Sequence, residues 1–555
     1  MATERTPLIP KGPADASRRD FALLMTGIWS LVFIGSLDAT IVATLISTIG
    51  SSMESMQFSS WIGTAYLLSL CRLANILGRR PSMLFAGTLF GGGTILCGFA
   101  QNIWQLVAFR AIAGMGGSGM TVVGSVILSD SVPLKTRGLY QGFTNLLFGL
   151  GGAIGGPLGG WLGDTIGWRA AFLYQSPFLA CSLVLLYLKI REPELVLAAA
   201  GTGIFAKLKR IDYAGSASLV FALLAFLLGM HFKSTAGYDW DDSRVWALLT
   251  AAAVLACVFV LVEFRFAAEP IMPIAILKRR TPGFVALNNF LIAVLSFSTL
   301  YNTPLYFTAA RLRTSANAGA HLIPNSVFVA IGSLLAGWYM RKTGRYWNFQ
   351  AIASLGLLVA NLILASWNPD TPEWVLYITL APSGFAFASV LTTTLLALIA
   401  SVPRDDIPLA TGISYLFRTM GQVLGVSLSA TLTQTLLARN LRARIADEDT
   451  VAKILDSTAY IHTLPADLQV KATTSWALAL RTVFYCQIVR FFFFLPLIFP
   501  FFLRPRLFGA DQVQGLAVSI FLSLLPMEEC SLPDTIAADP VKRTAPVARD
   551  AERAE

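Results

Sequence analysis

Charge is scarce in this chain. Only 13% of its 555 residues are Asp, Glu, Lys or Arg, against about 25% in a soluble globular domain. With 55% apolar residues and a mean hydropathy of +0.64, the composition excludes a soluble class and points to a bilayer. Histidine is almost missing, at 3 residues, and the 6 cysteines are scattered. Neither a metal-ligand set nor a disulfide framework is expected, and no cofactor. There is no Gly-Lys-Ser or Gly-Lys-Thr and no G-x-S-x-G elbow, which argues against ATP-driven pumping, membrane hydrolysis and enzymes in general. The net charge of +10 is spread over short loops between apolar runs, so nucleic acid is not an expected partner. Residues 1–20 are polar and Phe21 begins a full-length apolar run, so no cleavable leader is expected.

Long apolar runs are what the chain does have. They fall at about 21–49, 59–76, 83–100, 104–128, 139–161 and 168–190, then 213–232 and 245–264, then 283–307, 319–340, 349–367, 374–400, 408–436 and 476–503. Each is read as a membrane-crossing helix. The expected class is an all-α membrane protein with about 14 spans, grouped six, two and six. The expected divisions are a cytosolic tail (1–20), a six-helix bundle (21–190), a linker with two extra helices (191–282), a second six-helix bundle (283–503) and a disordered cytosolic tail (504–555). Spans seven and eight are expected at the periphery. With the N-terminus in the cytoplasm, the inner loops carry Arg79-Arg80, Lys135, Arg137, Lys278-Arg279-Arg280, Arg341-Lys342 and Arg345, as the positive-inside rule requires. The outer segments 308–318 and 437–475 break the pattern with several Arg.

Within these runs a few polar residues stand out. Asp38 is the one charge between Phe21 and Ile49, and a carboxylate at that depth costs about 2.5–3.5 kcal/mol on insertion scales. Proton coupling is the functional reading, since desolvation and a nearby cation pull a carboxyl's affinity for protons in opposite directions. Packing against a polar neighbour for folding alone is the bland one. Arg110 is a second embedded charge, which stays protonated and needs a partner. It either modulates a carboxylate or forms a structural pair. Arg418 and Gln422 lie four apart on one helix face, and Asn288, Asn289 and Asn302 dot the ninth span. These amides line a cavity or bridge helices; Asn289, Asn302, Arg418 and Gln422 are the candidate substrate ligands. The fifth span is rich in glycine around Gly156, Pro157 and Gly160, which lets helices approach closely and suits a gate. Two basic turns, Leu77-Gly78-Arg79-Arg80-Pro81 and Met340-Arg341-Lys342-Thr343-Gly344-Arg345-Tyr346, sit at matched places in the two groups of six, the mark of a repeated transporter.

Leu37-Asp38-Ala39-Thr40-Ile41-Val42, Trp61 to Leu68, Leu106 to Arg110 with Gly114 to Gly117, and Gly152 to Gly160 resemble the motifs of the major facilitator superfamily, and most of all those of the fungal fourteen-span drug:proton antiporters. Thr303 to Phe307, Ala318-Gly319, Leu322-Ile323-Pro324 and Thr343 to Tyr346 look most like the yeast vacuolar basic amino acid transporters. The resemblance implies two six-helix bundles rocking about a central cavity. It also implies proton-coupled export of a basic amino acid from cytoplasm to vacuole by a monomer in the bilayer, with Asp38 and Arg110 coupling protons. Gly78, Arg79, Gly344 and Arg345 would belong to the gating loops. Glu4-Arg5-Thr6-Pro7-Leu8-Ile9 is similar to an acidic dileucine sorting signal for the vacuole. A plasma-membrane multidrug exporter and a non-transporting, receptor-like relative are the alternatives.

The chain departs from the family pattern in three places. Asn75 and Arg341 stand where the loop motif carries Asp. The second span has only about 13 uncharged residues from Ser59 to Cys71, too few to cross unaided. Phe491 to Pro496 opens a Phe- and Pro-rich stretch unlike the rest. The last two suggest an exon edge lost near Cys71 and an intron translated after Val489, which transcript sequencing decides.

Overall fold

Backbone groups that cannot reach water must pair within their own segment, so an apolar chain in a bilayer coils into helices. A computed structural model describes residues 18–68, 79–132, 134–190, 212–234, 238, 241–265, 272–343, 347–368, 371–403 and 406–502. Every regular element among them is helical. In chain order these are α1 (Arg18–Ser52), α2 (Ser60–Leu68), α3 (Arg79–Gly98), α4 (Ile103–Ser131), α5 (Leu134–Thr165), α6 (Trp168–Leu173) and α7 (Ser176–Lys189). Then come α8 (Tyr213–Ser234), α9 (Ser243–Arg265), α10 (Ile274–Leu277), α11 (Arg280–Leu305), α12 (Ser315–Ala320), α13 (Ile323–Thr343) and α14 (Trp347–Ala365). The last are α15 (Glu373–Ser401), α16 (Ile407–Arg442), α17 (Glu448–Asp456) and α18 (Ala466–Phe502).

Among the described residues, ten stretches of helix are long and apolar enough to cross a membrane. Outward-facing Phe99, Trp161, Leu188, Trp338 and Ile352 are exposed, as side chains that meet lipid tails should be. One buried apolar cluster runs from Ala43 and Trp61 through Leu219 and Leu227 to Leu291, Phe387 and Leu416. It joins α1 and α2 to α11, α15 and α16 by way of α8.

Several boundaries differ from expectation. The sixth span breaks at Tyr174 and Gln175 into α6 and α7, with Pro177 in the first turn of the second piece. The ninth passes beyond Pro304 into a π-helical turn, Tyr306–Ala310, closed by the Arg311 amide donating to the Tyr306 carbonyl at 3.2 Å. The Arg-bearing outer segment 437–475 is folded, not a bare loop. Asp447 caps α17 by accepting from the Thr450 amide, and Val451, Ile454 and Ile461 are buried against Trp367, Leu437 and Trp476. Two of its three arginines are used locally, Arg442 on Glu448 at 2.8 Å and Arg444 on Ser475 at 3.2 Å.

Spans seven and eight are also not alike. α9 keeps only 17% of its apolar window buried and is peripheral. α8 packs against α9, α16 and α2, and its His231 ring lies 5.0 Å from Phe58 and 5.9 Å from Trp61. Its Leu219 and Leu223 are buried in the shared apolar cluster, and Ser216 and Leu219 line the cavity described below. Gly78, Gly344, Arg345, Asn75, Cys71, the linker 191–211 and residues 1–17 and 503–555 lie outside the described residues, while residues 18–20 of the expected tail begin α1.

Candidate functional site

Three interhelical contacts set the geometry. α5 lies along α1, with Gly151, Gly155 and Gly159 on the near face. A Cβ on Gly155 would come 2.5 Å from the Leu37 carbonyl oxygen, so the two backbones touch where only glycine fits. One turn round the same helix, Gly149, Gly152, Gly156 and Gly160 face α12 and α13. A Cβ on Gly156 would fall 2.7 Å from the Gly319 carbonyl oxygen. α12 and α13 fall in the stretch 283–503 that the sequence assigns to the second bundle; on that division this second glycine face is a seam between bundles, at the end of α5 away from its basic start.

Polar contacts reinforce that end. The Ala316 amide donates to Asp164 at 3.0 Å, and the Thr48 and Ser315 hydroxyls meet at 2.9 Å. Ser51 meets the Thr458 hydroxyl at 2.9 Å and accepts from the Thr458 amide at 3.0 Å.

Toward the other end the helices part around a cavity of about 320 Å³. Its walls come from the first half of α1, the second half of α4, the first halves of α5 and α16, the start of α8, and residues of α11, α13 and α15. Each contributing half of α1, α4 and α5 lies next to a basic loop. The wall is mostly apolar, with Gln141, Thr144 and Asn145 on one side and Tyr415, Arg418, Thr419 and Gln422 on the other. Asn145 also donates across the gap to the Ser333 hydroxyl at 2.6 Å.

Asp38 and Arg110 meet. The Arg110 Nη1 donates to both carboxylate oxygens of Asp38, at 3.1 Å and 2.8 Å, and both side chains are fully buried. Gln175 completes the set, with Nε2 3.4 Å from Asp38 Oδ1 and 3.1 Å from the Ala171 carbonyl. The Arg110 Nε and Nη2 have no hydrogen-bond partner among the described residues; the guanidinium is covered by the Tyr66 ring, 4.2 Å away. Asp38 does not line the cavity, but its neighbours Gly35, Ser36 and Ala39 do, and so does Tyr66. The ion pair is therefore one aromatic ring away from the cavity.

The other candidate residues divide. Arg418 and Gln422 line the cavity. Asn289 and Asn302 do not: Asn289 donates to Ser414 at 2.6 Å and accepts from Thr394 at 3.0 Å. Asn302 donates to Ser429 at 2.8 Å and accepts from Thr433 at 3.3 Å. Both amides are engaged in tying α11 to its neighbours, Asn289 to α15 and α16 and Asn302 to α16. Their helix turns them inward to its own bundle, a direction that spacing along one helix cannot reveal. Gly156, Pro157 and Gly160 lie on the seam with α12. Arg79 starts α3 and is half-buried. The sequence reading missed Gln175, Tyr66 as a divider, and the pair Gln141 and Asn145. The last two sit four apart in the fifth span, the same signal that singled out Arg418 and Gln422.

The sequence profile described as Major Facilitator Superfamily matches residues 28–426. The chain is 36% identical over 504 residues to "Multidrug resistance protein fnx1" of Schizosaccharomyces pombe, covering 87% of this chain and 93% of that protein. It is 30% identical over 434 residues to "Vacuolar basic amino acid transporter 2" of Saccharomyces cerevisiae, covering 75% and 91%. Among solved structures, a bacterial homologue of the human lysosomal transporter Spinster shares the fold at a TM-score of 0.55 and 14% identity, covering 88% of this chain and 97% of that one.

Proposed function

This chain belongs to the Major Facilitator Superfamily, integral membrane transporters and not enzymes, and on that premise we propose that it is a proton-coupled antiporter moving a basic amino acid from cytoplasm to vacuole. One observation carries the reading. A buried carboxylate and guanidinium lie one ring away from a cavity that is closed at one end by backbone contact between bundles. On the positive-inside orientation the closed end faces the vacuolar lumen and the cavity belongs to the cytoplasmic half. Rocking α5 over α12 at the glycine seam would exchange the open and closed ends. When Asp38 takes up a proton it releases Arg110, so the pair is a switch whose two charge states favour different arrangements of α1 and α4.

The fourteen-span count adds α2, α14, α16 and α18 to the ten spans that length and hydropathy identify. Similarity to a vacuolar basic amino acid transporter supports the substrate class. Similarity to a multidrug resistance protein, together with a mostly apolar cavity wall, favours the second reading, a drug exporter at the plasma membrane.

The test is uptake of lysine and of a drug panel into vesicles under an imposed pH gradient, with the wild type and Asp38→Asn. Wild-type lysine uptake is expected to follow the gradient and the variant is expected to lose that dependence. Lysine uptake in Asp38→Asn with the wild-type pH profile would sink the coupling role. Imaging a tagged chain separates vacuolar from plasma membrane.

A further inference from the structure

The cavity holds one charged side chain among its described lining residues, Arg418. Its guanidinium lies over the Tyr415 ring at 4.2 Å, and among the described residues its Nε has no hydrogen-bond partner and no carboxylate pairs with it. Other arginines of this chain are matched differently: Arg110 has Asp38, Arg313 has Glu373 and Arg442 has Glu448. An unpaired guanidinium at membrane depth is costly, and the cost is offset when an anion from solution completes it. Guanidinium and carboxylate are planar and match in two parallel hydrogen bonds. Gln422, one turn further along α16, offers amide donors beside it.

The opposite wall differs. Gln141 and Asn145 on α5 line it as a linked pair, the Gln141 Nε2 donating to the Asn145 oxygen at 3.4 Å and leaving the Gln141 amide oxygen as an acceptor, and Tyr66 presents a ring. No Asp or Glu lines the cavity among the described residues, so a cationic side chain finds no counter-charge there.

We propose that the transported solute is recognised by its carboxylate, which docks on Arg418 and Gln422 of the second bundle while its amino group meets Gln141 and Asn145 of the first. This deepens the reading of the cavity as a transport site and rests on it. The solute then bridges the two bundles, so its departure loosens the cavity walls. Affinity is set at the carboxylate, and side-chain charge contributes little. Amines that lack a carboxylate are poor ligands even when the rest of the molecule is the same.

The experiment is ligand-induced thermal stabilisation of the purified full chain. The probes are lysine, lysinamide, cadaverine, leucine and leucinamide; the proteins are wild type, Arg418→Gln and Arg418→Lys. Lysine and leucine are expected to bind the wild type roughly tenfold or more tightly than their carboxyl-free counterparts, the loss expected for one charge-assisted pair. Arg418→Gln is expected to abolish that difference and Arg418→Lys to keep part of it. Equal binding of lysine, lysinamide and cadaverine overturns the proposal, as does no binding of either amino acid, or unchanged lysine affinity in Arg418→Gln. If Arg418→Gln fails to fold, the wild-type acid-against-amide comparison decides alone. Carboxylate binding through Arg418 without gradient-driven uptake would defeat the antiporter reading and leave the anchor standing. Gradient-driven lysine uptake with an unaltered KM in Arg418→Gln would do the reverse.

Discussion

Removing one half of the Asp38–Arg110 pair leaves the other charge buried without compensation, whereas removing both leaves a neutral core. Loss of one partner of such a pair costs about 3–5 kcal/mol. Asp38→Asn should therefore lower the melting temperature of the purified protein, and Asp38→Asn with Arg110→Gln should recover much of it without restoring gradient-driven uptake. A double variant no more stable than the single one would show that the charges are not coupled as the 2.8 Å contact requires. Asn302 calls for the opposite pattern. Asn302→Leu strips Ser429 and Thr433 of their amide partner and should cost about 1–2 kcal/mol. Its KM for the solute should stay at the wild-type value, because the amide is remote from the cavity. A raised KM with unchanged melting would return Asn302 to the binding site.

α5 works through what it lacks. Its two glycine faces let it touch α1 on one side and α12 on the other at backbone distance, and these contacts differ in what they join. On the division expected from the sequence, the first is inside one bundle and the second is between bundles. In Gly156→Val the new Cβ meets the Gly319 carbonyl oxygen, 2.7 Å away, and a backbone atom has no rotamer by which to retreat. The seam should then part. Uptake should fall, and a cysteine placed at Ser315 should become reactive to a membrane-impermeant thiol reagent from the non-cytoplasmic side. Normal uptake and an unreactive cysteine would mean that this contact is not the seal. Pro157 lies in the same seam. The carbonyl it leaves unpaired belongs to the helix's own turn, and the neighbouring small residues keep that turn close to α12.

For the whole molecule the question is which end is closed. Ser51 at the end of α1 and Thr458 after α17 approach to 2.9 Å between their hydroxyls, across the boundary of the bundles. Cysteines at these two positions should form a disulfide under mild oxidant, arrest uptake, leave solute binding intact, and release transport on reduction. Uptake that continues through the oxidised form would show that the two bundles do not separate at this end during the cycle.

The all-helical fold class and the identity of the embedded charges were legible in the sequence. Hydropathy and the expense of charge in oil act on each segment by itself, so they leave their mark in the linear order. Arg418 and Gln422 were legible for the same reason, as polar residues sharing one face of an otherwise apolar helix. Which face turns toward which neighbour was not legible. Asp38 with Arg110, Gln175 behind them, Tyr66 as the divider, α8 against α16, and the interhelical ties made by Asn289 and Asn302 all depend on the rotation of one helix against another. That rotation is chosen by the fit of many side chains at once, the glycine faces of α5 above all. A single segment contains the residues to be buried but no information on what will bury them, and the tertiary structure alone made those pairings.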